Sequence, residues 1–374
     1  MAKDDLADAR PLVAALLADA LARRASDIHV DPAAQTTDIR LRIDGLLEPY
    51  ASYPPDTGRA IVSRLMVLAN LLTYRLDIPQ EGRLEWPNAD APSTESSTLS
   101  PQHSLDLRLS IMPTTHGLRA ALRLPADLLQ PKTLEELALP EAVLAGLRQF
   151  AATDTGLLIL TGPAGSGKTT TIYALLDYIR RASPGLSIVT LEDPVERDLP
   201  GVTQIEITPH GQLTYQRALR SILRQDPQVL MLGEIRDPET ASLAIQAALS
   251  GHRLICTLHA GHPAAAIARL LEMALEPYQI TSALFAIIAQ RLVRKLRPTP
   301  HSPAYAGRIP AAEIVMLDGP LRAAILRRGD ATELARIFTQ RPGHVTMRQV
   351  AESLITRNLT DTPELHRIFG PAAS

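Results

Sequence analysis

Apolar positions recur along residues 11–24 at Leu12, Ala15, Leu16 and Ala20, the three- and four-residue spacing of one helix face. Two short runs follow, at 27–30 and 38–43, and the second closes on the turn pair Asp44-Gly45; both predict strands. Residues 58–72 return to a helical period. Residues 87–103 are rich in Ser, Thr, Pro and Asp without an apolar period, which predicts an exposed loop. The runs 105–112 and 119–124 predict strands joined by a turn at 113–117. Together these elements predict a small α+β domain over residues 1–125.

Residues 126–137 form a Pro- and Leu-containing connection, and beyond it the pattern changes. Short apolar runs at 157–160, 187–191, 229–232 and 254–258 are bounded by Gly, Pro or charge, with helical stretches between them. Strand–helix alternation of this kind predicts a parallel sheet covered on both faces, an α/β core over residues 138–300. Residues 301–374 start Arg- and Pro-rich and continue as a mostly helical region.

Composition narrows the classes. The chain has 374 residues, 45% hydrophobic and 21% charged, which suits a globular protein of two or three domains. A net charge of −2 argues against a chain that binds nucleic acid as a whole, and 3% aromatic residues leave little to stack on bases. Cys256 is the only cysteine, which excludes an intrachain disulfide and a four-cysteine zinc site and fits a reducing compartment. No zinc is expected. The start, Met1 to Asp8, carries acids rather than an apolar core, so no signal peptide is expected there. The apolar stretches at 156–160 and 283–289 fall short of the roughly 20 residues of a membrane helix. Membrane association is therefore expected only through partners.

The strongest chemistry lies at Gly162-Pro163-Ala164-Gly165-Ser166-Gly167-Lys168-Thr169, which fits G-x-x-x-x-G-K-[ST] without a gap. An apolar strand precedes it and a helix-forming run follows. Glycines let the backbone wrap phosphate oxygens, and exposed N–H groups at a helix start favour their charge. Lys168 would reach the β- and γ-phosphates of ATP, and Thr169 would ligate Mg²⁺. Thr170 follows in the first helical turn, where it and Thr161 also suit ordinary capping or filling roles.

Two acidic features accompany the loop. The apolar run 229–232 leads into Gly233-Glu234, and Glu234 is placed to polarise an attacking water. The run 187–191 delivers Glu192-Asp193-Pro194-Val195-Glu196 at its C-terminal end, the edge where open parallel sheets bind ligands. Glu192 and Glu196 are candidates to orient Mg²⁺ or water, although acidic turns before proline are common. Residues 251–259 read as a strand with a histidine near each end. Period-two alternation predicts Leu254, Cys256 and Leu258 buried on one face. His259 falls level with the phosphate loop and could sense a γ-phosphate, whereas His252 suits a structural role equally well.

The order of these segments resembles the type II secretion and type IV pilus assembly ATPase family. The phosphate loop, Leu191-Glu192-Asp193-Pro194-Val195-Glu196, Gly233-Glu234-Ile235-Arg236-Asp237 and Thr257-Leu258-His259 are similar to its Walker A, Asp box, Walker B and His box. Ala25-Ser26-Asp27-Ile28-His29, Arg40-Leu41-Arg42-Ile43-Asp44-Gly45 and Pro79-Gln80-Glu81-Gly82-Arg83 are similar to its smaller N-terminal domain. The resemblance implies a RecA-like P-loop ATPase domain, that smaller α+β domain, and a mostly helical C-terminal region. It implies a Mg²⁺-dependent homo-hexameric motor with the 126–137 connection as hinge. It also implies a cytoplasmic location at the inner face of the cytoplasmic membrane, through a polytopic platform protein and pilin or pseudopilin machinery. By position, the arginines that approach phosphates in that family correspond to Arg83, Arg108 and Arg123.

Departures qualify this. Many assembly members carry two CxxC pairs after the segment matching residues 291–296; here Arg297-Pro298-Thr299-Pro300 stands there, so the zinc lobe is expected to be absent or reduced. The family's larger partner-docking domain is also expected to be missing, because the chain begins close to Ser26-Asp27-Ile28-His29. Leu118 and Glu81 replace a common Glu and Asp. The helix typical of retraction-type relatives has only a poor counterpart at 321–328, which favours the assembly branch. A retraction or competence DNA-uptake ATPase is the alternative. A non-hydrolysing nucleotide-binding scaffold is disfavoured by the presence of both Lys168 and Glu234.

Overall fold

The computed structural model describes residues 9–87, 104–124, 133–207, 211–297 and 305–371. Contacts divide the chain into two compact units, Met1–Leu129 and Gln130–Ser374. The loop expected over 87–103 lies outside the described residues apart from Pro87. So do 125–132, most of the expected connection, and 298–304, where the cysteine-containing lobe of relatives would fall.

The first unit is built on period-two alternation. Helix α1 (Ala9–Ala22) precedes strands β1 (Asp27–Pro32), β2 (Thr37–Ile43) and β3 (Leu46–Tyr53). Helix α2 (Pro55–Leu68) then leads to β4 (Gln80–Pro87), β5 (Ser104–Thr114) and β6 (Gly117–Arg123). The six strands form one sheet in the order β3-β2-β1-β6-β5-β4, each neighbouring pair antiparallel. Ile28, Val30, Ile39, Leu41, Leu107 and Leu109 point to one face. Val13, Leu16 and Leu17 of α1 and Ile61, Leu65 and Met66 of α2 cover them. Burying side chains of this size removes about 1.5–3 kcal/mol each from water, which holds the helices on that face. Helix α2 begins earlier than the sequence predicts, because Pro55 suits a first helical position, and it ends earlier, at a left-handed Asn70 with φ 55°. The strands the apolar pattern missed, β3 and β4, are the two edges of the sheet. An edge strand packs on one side only, so it needs few apolar residues.

The opposite face of this sheet carries charge. Cross-strand register places Arg42 opposite Asp27, Asp27 opposite Arg123, Arg123 opposite Arg108 and Arg108 opposite Arg83. Residues directly opposite one another share a face. The three arginines singled out from the sequence therefore form one continuous row.

The second unit begins with α3 (Glu141–Ala151) and continues with β7 (Gly156–Thr161), α4 (Lys168–Ala182), β8 (Ile188–Glu192), β9 (Thr203–Glu206) and α5 (Tyr215–Ile222). Then come β10 (Val229–Leu232), α6 (Pro238–Leu249), β11 (Arg253–Leu258), α7 (Pro263–Glu272), α8 (Pro277–Ala283) and β12 (Leu284–Leu296). Strand β13 (Tyr305–Met316) precedes helices α9 (Gly319–Leu326), α10 (Ala331–Thr339), α11 (Met347–Thr356) and α12 (Thr362–Phe369). The sheet order is β13-β12-β7-β11-β10-β8-β9, parallel except for the β12–β13 pair.

Both faces are covered. Leu158, Leu160 and Ile255 pack against Leu147, Phe150, Ile172 and Leu176 on one side. Leu157, Ile159, Leu254 and Cys256 pack against Ala244, Ile267, Leu270 and Ala324 on the other. Leu254, Cys256 and Leu258 are buried on one face, as the alternation predicts, and the remaining residues of β11 are buried too, because the strand runs through the middle of the sheet. In the region after residue 300, expected to be mostly helical, strand β13 precedes the four helices. Strand β13 was hidden by its Arg- and Pro-rich approach, and it buries Ala311, Ala312 and Val315.

Candidate active site

Sheet register assembles the site. Leu258 lies beside Thr161, Cys256 beside Leu232, and Leu232 beside Leu191. The C-terminal ends of β7, β11, β10 and β8 therefore coincide at one edge. The phosphate loop, His259, Glu234 and Glu192 each leave from that edge within two residues of a strand end. Local sequence selects this route: each strand is short and apolar, and each is followed by Gly or a charged residue that cannot continue in the core.

The loop is anchored at its root. Thr161 Oγ1 lies 2.9 Å from Leu258 O and 2.8 Å from Ala260 O, and accepts from Ala260 N at 3.0 Å. Gly162 takes φ 146°, and a Cβ there would fall 2.4 Å from Gln290 O. Gly167 is the N-cap of α4 at φ 86°, with no side-chain cap. The first N–H groups of α4 are thus left for an incoming anion. Lys168 Nζ donates to Gly162 O and Pro163 O, both at 2.9 Å. Burial lowers the Lys168 pKa, while Glu234 and Glu196 act to raise it. Ser166 is buried, and its hydroxyl has no hydrogen-bond partner among the described residues. Pro163, Ala164 and Gly165 complete the loop, and Thr169 and Thr170 lie in the first turn of α4.

Glu234 is held from two sides. His259 Nε2 stands 3.0 Å from its Oε1, and Arg236 Nε donates to Oε2 at 2.6 Å. Arg236 reaches on to Asp193 Oδ2 at 3.4 Å, and its bond to Glu234 raises its pKa. The strand end beneath is fixed by Gly233 N donating to Leu191 O at 2.7 Å and by Thr257 Oγ1 donating to Gly233 O at 2.5 Å. A Cβ on Gly233 would come within 2.8 Å of Tyr215 Oη, which explains the glycine before the acid. Asp237 caps α6 by accepting from Thr240 N at 2.9 Å. Burial acts to raise its pKa, but the donors Thr240 and Gln216 leave it lowered.

Glu192 sits deeper, 2% exposed. Tyr173 Oη and Thr190 Oγ1 donate to its carboxylate, the latter at 2.6 Å, and Gln204 Nε2 donates at 3.1 Å. Burial and the neighbouring Glu192 both push the Tyr173 phenol well above its usual range. His252 belongs to the far end of β11, where its Nδ1 lies 2.9 Å from Ala247 O; it caps a turn and is not part of the site. Cys256 is buried in the core with its thiol pushed up by burial. Arg83, Arg108 and Arg123 lie in the first unit, where Arg123 Nε donates to Asp27 Oδ1 at 3.2 Å. The sequence reading missed Tyr173, Gln204, Tyr215 and Gln290. Only Gln290 left a trace, as a lone amide in an apolar strand.

The site has the oxygen donors that a hard divalent cation prefers, in Thr169 and the nearby acids, and an uncapped helix start for phosphates. Among the described residues, no group of three or more His, Cys, Asp or Glu could hold a metal alone.

Comparison with known proteins agrees. Residues 2–367 match the model of the family described as "Type II/IV secretion system protein". A curated relative is HxcR, a type II secretion system protein of Pseudomonas aeruginosa. It is 35% identical over 383 residues, spanning 97% of this chain and 78% of that protein. The type IV pilus assembly ATPase PilB of Thermus thermophilus is 34% identical over 380 residues, 92% of this chain and 41% of PilB. Among solved structures, the pilus retraction motor PilT with bound ADP superposes with a TM-score of 0.64 at 25% identity, covering 96% of each chain.

Proposed function

The chain belongs to the type II/IV secretion system protein family, and from that premise we propose that it hydrolyses ATP to drive type II secretion or type IV pilus assembly. The observation that supports this most is Glu234 held level with a complete phosphate loop at one sheet edge. Lys168 leaves its own loop carbonyls for the β- and γ-phosphates. Glu234 orients the attacking water, and His259 holds the second oxygen of that carboxylate. Thr169 would hold Mg²⁺, which when bound would supply positive charge to the phosphates. Three donors already engage Glu192. That suits an indirect role toward the metal, through ordered water, better than direct ligation.

The row of Arg83, Arg108 and Arg123 supplies cationic charge to the phosphates, a task that suits the planar guanidinium. The active form is a homo-hexamer at the inner face of the cytoplasmic membrane, working with a platform protein and pilins or pseudopilins. Residues 126–137 link the small domain to the motor core of 138–300. Pilus retraction is the second reading, supported by the likeness to PilT over nearly the whole chain.

The test is an ATPase titration beside sedimentation, with and without a slowly hydrolysed analogue. The analogue should stabilise a hexamer. Activity per chain should rise with protein concentration and vanish on chelation of Mg²⁺. Arg108→Ala should cut turnover by about 10²-fold. A monomer with full, concentration-independent activity would sink the motor reading.

A further inference from the structure

Gln290 is a polar residue inside an apolar strand, 2% exposed, and both ends of its amide meet the phosphate-binding segment. Its Nε2 donates to Ser166 O at 2.8 Å, and its Oε1 accepts from Thr171 Oγ1 at 2.9 Å. These anchors bracket Lys168 and Thr169. Register explains the reach: Ala289 stands opposite Thr161, so Gln290 is the first residue of β12 past the top of β7, where the loop departs.

The bond to Ser166 has a consequence for anion binding. In a trans peptide the C=O and the following N–H point in opposite directions. Holding the Ser166 carbonyl against Gln290 therefore turns the Gly167 N–H away from β12. Gly167 is the N-cap of α4, so this N–H belongs to the group that cradles phosphate. Contact is close at both ends of the loop. A Cβ on Gly167 would lie 2.7 Å from Gln290 Nε2, and one on Gly162 would lie 2.4 Å from Gln290 O.

We propose that Gln290 is the positioning residue of the phosphate loop, fixing the Ser166–Gly167 peptide in its anion-binding orientation. The proposal rests on reading residues 162–169 as the nucleotide site. A residue that orients the cradle governs nucleotide affinity more than the rate of the bound complex.

Titration of the full chain with a fluorescent ADP, beside steady-state ATPase kinetics, tests this. Gln290→Glu keeps the size of the side chain and the acceptor for Thr171, but sets an oxygen against Ser166 O. It should weaken ADP binding and raise KM by about 10-fold or more, the scale of one buried hydrogen bond left unmade. The fall in kcat should be the smaller effect. Thr171→Val should cost about 3-fold in affinity, and Thr171→Ser should restore it. Should Gln290→Glu not fold, as judged by circular dichroism, the double variant Gln290→Met/Thr171→Val is read instead, since it removes both partners together. Wild-type ADP affinity in whichever variant is folded, or a loss confined to kcat, would overturn the proposal. Lys168→Ala is the control: if it binds ADP as well as wild type, the nucleotide-site reading itself has failed.

Discussion

Two glutamates of the second unit are each gripped by two nitrogen-bearing side chains, and they differ in burial, their partners most of all. Glu364, on α12, is 0% exposed. Arg294 donates through Nε at 2.9 Å and through its backbone N at 2.9 Å, and Arg367 donates at 2.7 and 2.6 Å. Around this cluster the Arg294 guanidinium lies 3.9 Å from the Tyr305 ring centroid, and Tyr305 Oη donates to Asp361. Thr360 Oγ1 donates to Arg294 O at 2.9 Å. Glu234, at the strand edge, is 15% exposed, and its partners Arg236 and His259 are 59% and 48% exposed. The pairing chemistry is alike. Burial decides what it does: a fully enclosed carboxylate ties the C-terminal helix to β12, while one with exposed partners stays able to exchange them for a substrate.

The sharpest way to break this comparison is to neutralise each acid in turn. Glu234→Gln should lower ATP turnover by about 10²–10³-fold, with ADP affinity and melting temperature near wild type. Glu364→Gln should leave turnover per folded chain within about 3-fold while lowering the melting temperature. Equal turnover losses in both would erase the functional distinction between them.

A stability measurement sharpens it further. Removing one partner of a buried ion pair typically costs about 3–5 kcal/mol, because the other charge is left uncompensated. Glu364→Ala should therefore destabilise by about 3 kcal/mol in urea titration. Glu234→Ala should cost about 1 kcal/mol, the scale of pairs with exposed partners. Similar midpoints for the two variants would contradict the tie between α12 and β12.

The smallest effect is a pH dependence. Burial acts to raise the Glu364 pKa, but the bonds from Arg367 and Arg294 outweigh it and leave it lowered. A depressed folded-state value means that the group stabilises the fold fully above the unfolded value of about 4.3. That contribution is lost as pH falls through the folded value. The stability gap between wild type and Glu364→Gln should be widest near neutrality and narrow below pH of about 4. A constant gap from neutral to acid pH would show that packing, not charge, carries the effect.

Much of this protein was legible from residue order. Periodicity predicted the strands β1, β2, β5 and β6 and, in the second sheet, β7, β8, β10 and β11, but not β12, which is internal as well. Edge strands β3 and β4 were lost because a strand with one neighbour needs little apolar surface. The site divides in the same way. Lys168, Glu234 and His259 were singled out because they stand in short segments with fixed spacing, and the structure brings those segments to one sheet edge. Tyr173, Gln204 and Gln290 were not, because each bonds a residue outside its own element, which no local pattern announces.

The sequence by itself determined the local chemistry: a glycine-rich turn of the phosphate-loop pattern between strand and helix, acids at strand ends, and a single cysteine too few for a four-cysteine zinc site. These follow from contiguous residues and their backbone preferences, which do not depend on what packs above them. Tertiary structure alone decided which carboxylate is open and which is sealed. It aligned Arg42, Asp27, Arg123, Arg108 and Arg83 across neighbouring strands, and brought Gln290 against a loop more than a hundred residues before it. Burial and register are properties of pairs of segments. A sequence states each segment, while the folded chain alone states which segments meet.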